Sequence, residues 1–170
     1  MRSRMESNGR SSSGKVTSAI TSHHALAEWL VTAEMGATEG PPEGPAAASR
    51  VFEKLSQRLA QLITPVGSEA LLTRAVHLSR AEFPFLDGVQ AAPGKASLIA
   101  RLRETAATVE PDLAQQGFVT VIATLVDLLV SFIGEDLTFR LLRDVWPELP
   151  MTPHSPPHAE RRNGNLEATP

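Results

Sequence analysis

The sequence predicts an all-α fold, a compact bundle of about five helices arranged around one highly apolar helix near residues 111–133. Three observations carry this. Apolar residues recur at steps of three and four in one segment after another. The Val- and Ile-rich run keeps that helical step and lacks the strict alternation of a half-buried strand. N-capping side chains, prolines and glycines stand where such helices would start and stop. A chain of 170 residues, 42% hydrophobic and 21% charged, has the size and composition of one globular domain. Its 13 prolines and 11 glycines cluster in part toward the ends, which implies segments that stay outside the core.

The elements follow in order. Residues 1–15 are rich in Ser, Gly and Arg and offer almost nothing to bury, the composition of a flexible tail. Behind Ser22, a suitable N-cap, Leu26, Trp29, Leu30 and Ala33 keep helical spacing, so a short helix is expected over 23–35, ended by Gly36. GATEGPPEGP then reads as a linker, and residues 1–46 are expected to form a flexible N-terminal region around that short helix. The helical domain is expected over 47–150. In its first helix, 47–63, Val51, Phe52, Leu55, Leu59, Leu62 and Ile63 form one stripe.

Thr64 and Pro65 make an N-cap followed by proline at the first helical position. Leu71, Leu72, Ala75, Val76 and Leu78 give the next helix an apolar face that should run to about Glu82. Phe83 precedes a proline and is pushed out of helical geometry, so Phe83, Phe85 and Leu86 are expected to fold back as an extended plug, with DGVQAAPGK as a loop. Ser97 should cap a helix through about Thr108 that buries Leu98, Ile99 and Leu102, and Pro111 opens the helix after it. Residues 151–170, with further prolines and few apolar groups, are expected to be disordered.

The run from Gly117 to Ile133 is apolar except for a narrow stripe of Thr120, Thr124, Asp127 and Ser131. Two adjacent apolar seams, one through Val119, Ile122, Val126, Leu129 and Ile133 and one through Phe118, Val121, Leu125, Leu128 and Phe132, imply packing on several neighbours at once. A membrane span is disfavoured. The run falls short of the roughly 20 residues a bilayer needs, Asp127 lies near its middle, and acidic Glu135 and Asp136 follow it. Gly134 suits a corner into a last helix that opens with those two acids and closes with Arg140 and Arg143, an order matched to the helix dipole. Trp146 anchors its end and Pro147 stops it.

Composition excludes several function classes. A net charge of -3 gives no global attraction to nucleic acid or anionic lipid. The absence of cysteine excludes disulfides, thiolate catalysis and Cys-held metals, and it fits a cytoplasmic protein. The basic start MRSR runs into SNGRSSSGK with no apolar segment, so secretion is not expected. No HExxH, GxSxG or Walker motif occurs, and neither a metal nor another cofactor is expected. Asp127 in its apolar run and His77 near the apolar face of its helix are the sharpest chemical candidates. Each has a blander reading, as a solvent-facing acid and as a boundary histidine.

The function expected is therefore that of a non-catalytic protein-interaction or regulatory module. An apolar helix like that at 111–133 needs either encirclement by four short helices or a second subunit. The narrow stripes of its neighbours favour self-association through the last two helices. Leu125, Leu129, Phe132, Phe139 and Trp146 are expected at that surface or in the core beneath it. Leu26, Trp29 and Leu30 form a second candidate motif, able to enter a partner's groove or to dock on the chain's own core. The alternative is a ligand-binding sensor or small enzyme with His77 and Asp127 lining a pocket between helices.

Overall fold

The computed structural model describes residues 22–37, 43–91 and 97–150. The tails expected over 1–15 and 151–170 lie outside the described residues, as does part of the 36–45 linker. Among the described residues there are seven α-helices and no strand: α1 (His23–Gly36), α2 (Gly44–Leu62), α3 (Pro65–Ser79), α4 (Asp87–Ala91), α5 (Leu98–Ala106), α6 (Pro111–Ile133) and α7 (Glu135–Val145). A 3-10 turn, Pro84–Leu86, leads into α4.

The helix starts follow from their caps. Ser22, Thr64 and Ser97 each accept a hydrogen bond from the backbone N–H three residues on, at 3.2, 3.0 and 3.2 Å. Proline stands in the first turn of α2, α3 and α6, where a missing N–H costs no helical bond. With Pro45 there, α2 begins at Gly44, ahead of the expected 47. At the far end of α6, Gly134 adopts φ 88° and ψ 162°, a region essentially closed to other residues, and turns the chain directly into α7.

Three local expectations need correction. The segment 83–86 is not fully extended: Phe83 leaves the helical region, but Pro84 sets its own φ for a helical turn. The Leu86 N–H then bonds the Phe83 carbonyl at 3.0 Å. Phe83 and Leu86 are still buried, so the turn plugs the core as a 3-10 turn. The expected loop after it begins with the short α4, which buries Val89. Helix α3 ends at Ser79, short of Glu82, because the Ser79 carbonyl takes the N–H groups of both Glu82 and Phe83 in a tightened last turn.

Helix α6 is the axis of the molecule. It packs against α1, α2, α3 and α7, and Phe118, Val121, Ile122, Leu125, Val126 and Leu129 are almost fully enclosed. Phe52 of α2 meets Phe118 edge to face with ring centroids 5.7 Å apart. Burial of each such side chain stabilises the fold by about 1.5–3 kcal/mol. The Thr120–Thr124 part of the polar stripe turns toward α3: Thr124 Oγ1 donates to the Thr120 carbonyl at 2.9 Å and lies 3.3 Å from Ser79 Oγ. α6 is long and apolar enough to cross a membrane, and half of its most apolar window is buried by the other helices. The encirclement that an apolar helix needs is thus supplied within one chain, with α1 as one of its four walls.

Candidate functional site

Leu26 and Leu30 of α1 are completely buried among α2 and α6, and Trp29 packs half-buried against the same core. These side chains are spent on the chain's own interior. Polar contacts hold α1 at both ends. His23 pairs with Asp127 of α6. Near the other end, buried Glu34 receives Lys54 Nζ at 2.5 Å and Trp146 Nε1 at 2.8 Å, while Arg50 donates to its backbone carbonyl at 3.0 Å. No spacing rule pointed to Glu34, because an acid on a short helix reads as solvated until its neighbours are placed.

The residues of the alternative pocket are kept apart. Asp127 is exposed and engaged by His23. His77 is exposed on α3, its Nδ1 is 2.6 Å from the Arg80 guanidinium, and it borders a shallow groove with Val66, Glu69, Ala70, Thr73 and Arg74. Asp127 does not line that groove. No group of three or more His, Asp or Glu residues among the described residues is placed to hold a metal ion.

The other expected residues divide between the core and one exposed position. Leu125 and Leu129 are in the core, as are Phe139 and Trp146, which are about 7% and 6% exposed. Phe132 is not: it is 68% exposed on the last turn of α6. The reason is geometric. α6 is the longest helix, α1 begins level with Asp127, and the last turn of α6 projects beyond that contact to the Gly134 corner. Leu137, in the first turn of α7, is 55% exposed, and Leu62, at the end of α2, is equally so.

These three side chains surround a groove of about 420 Å³ whose floor is Leu59, Ile63, Leu71, Leu129, Ile133 and Leu141. Arg140 and the ion pair between Arg58 and Asp144 make its rim. An apolar floor with a charged rim is the layout of a protein contact, with dry burial at the centre and polar groups at the edge. It offers no nucleophile, acid–base pair or convergent polar set for chemistry. Nothing in the sequence marks Leu62 and Leu137 as surface residues, because each sits within an amphipathic stripe and looks like core. Only the ends of the neighbouring helices expose them.

A second cavity, about 550 Å³, opens where the starts of α2 and α6 meet the end of α5. Gly44 and Gln115 close its wall, with the Gln115 amide so near that a Cβ on Gly44 would lie 1.8 Å from Oε1. Arg103 at its mouth is already paired with Glu53 at 2.5 Å.

The fold defines an all-α bundle wound around one central helix, with an apolar groove at the end of that helix. No family model matches the chain, and no curated protein or solved structure shows significant similarity to it.

Proposed function

We propose that this chain is a protein-interaction module whose binding face is the groove that the end of α2 forms with α6 and α7. The observation that carries the reading is the exposure of Phe132. A large aromatic left mostly in water beside two exposed leucines and over an apolar floor is an anchor awaiting a contact. The floor is preformed by the Gly134 corner and the end of α2, so little ordering is needed on binding. A regulatory role fits the same face, since it carries no chemistry of its own. The cytoplasmic setting expected from a cysteine-free chain belongs to this proposal.

The experiment is site-directed photo-crosslinking in cells. A photoreactive residue replaces Phe132 in one version of the full chain and Val66, exposed on α3 outside the groove, in another. Adducts of protein mass at position 132 that vanish with Leu137→Glu, against background at position 66, are the expected result. Equal labelling at both positions, or none at 132, overturns the reading.

A further inference from the structure

Resting on the groove as a protein-binding face, we infer that its occupant is a second copy of this chain, related by a two-fold axis that sets the two α7 helices antiparallel. The order of charge along the open edge of α7 carries this. Asp136 stands in the first turn and Arg140 one turn later, both exposed, with exposed Leu137 between them in sequence. Among the described residues neither Asp136 nor Arg140 has a side-chain hydrogen bond or ion pair.

A two-fold axis brings residue i of one copy to residue j of the other, and j to i. An antiparallel α7 centred between positions 136 and 140 therefore places each Asp136 against Arg140 of the other copy, twice. The two Phe132 and Leu137 pairs pool their apolar surface beside that contact. A parallel α7 would instead set acid against acid and base against base, and would align two helix dipoles that the antiparallel arrangement opposes. A partner helix of one charge sign would satisfy Arg140 or Asp136 but repel the other. The chain's own α7 carries the matching order. The Arg58–Asp144 pair on the rim stays intact in this arrangement.

Sedimentation of the full chain over a concentration series tests this, with circular dichroism to confirm that each variant is folded. The wild-type chain is expected to dimerise reversibly. Asp136→Arg and Arg140→Asp should each weaken the dimer about tenfold or more, which is the effect of a like-charge contact repeated across the axis. Putting both changes in one chain should restore it, and so should mixing the two single variants, because opposite charges then face each other again. A wild-type chain that stays monomeric, while crosslinking at position 132 still captures another protein, overturns the second copy but leaves the groove as a binding face. A dimer lost with Phe132→Glu yet indifferent to the charge reversals overturns the antiparallel geometry alone. A dimer untouched by Phe132→Glu overturns both.

Discussion

Trp146 Nε1 donates a 2.8 Å hydrogen bond to Glu34 Oε1, joining the end of α7 to the last turns of α1 across 112 residues of sequence. The same carboxylate oxygen takes Lys54 Nζ, which also lies 5.9 Å from the Trp146 ring centroid. Glu34 is about 2% exposed, so these partners stand in for water around its carboxylate, whereas Lys54 remains 44% exposed at its side chain and can return to water. Trp146→Phe removes the donor and keeps the ring's bulk. It should destabilise the chain by about 1–3 kcal/mol, the cost of leaving a buried acceptor short of a partner. Urea unfolding of the wild type and variant reads this directly, and coincident midpoints would refute it.

Replacing Leu30 with Ala should cost about 2–5 kcal/mol, the range for a deleted core side chain, because α1 is a wall of the core rather than an appendage. Thermal unfolding followed at 222 nm measures it. A loss below 1 kcal/mol would mean that α1 is dispensable to the bundle.

Gly134→Ala should destabilise by about 1–3 kcal/mol even though nothing lies within 4 Å of a Cβ placed there. The cost is in the backbone, at φ 88° and ψ 162°, and not in a clash. Gly36, where a Cβ also meets nothing and φ is ordinary, is the control. Gly36→Ala should be neutral within about 0.5 kcal/mol, and equal losses at both positions would sink the backbone account.

Phe132 and Phe139 should respond oppositely to a charge. Phe132→Glu, at a mostly exposed site, should leave the unfolding midpoint within about 0.5 kcal/mol of wild type at concentrations where the chain is monomeric. Phe139→Glu buries an unpaired carboxylate and should unfold the bundle or cost more than about 4 kcal/mol. The contrast is read by denaturation of both variants at low concentration. A stable Phe139→Glu chain would show that α7 is not packed as described.

Most of the fold was legible in the residues. Period and caps mark α1, α2, α3, α5, α6 and α7 because each boundary has a local cause: Ser22, Thr64 and Ser97 at starts, Gly134 at the corner, Pro147 after Trp146. Helix α4 was missed because Asp87, Gly88 and the residues after them read as turn formers, and only the burial of Val89 gives the segment a reason to coil. The candidate groove was half legible. Phe132 stood out as part of an apolar seam, but its exposure depends on α6 running past the start of α1, and that of Leu62 and Leu137 on where α2 ends and α7 begins. Long-range placement, not local pattern, decides those positions. It also decides Glu34, whose partners Arg50, Lys54 and Trp146 come from α2 and the end of α7.

The distance in sequence between α1 and the end of α7 governs how the chain can assemble during synthesis. Glu34 leaves the ribosome long before Trp146, and at about 5–20 residues per second the wait is roughly 5–20 s. For most of that interval Leu26 and Leu30 have α2 to rest on but neither a complete α6 nor Trp146. Among the described helices, the one made first is thus among the last to have its core contacts completed.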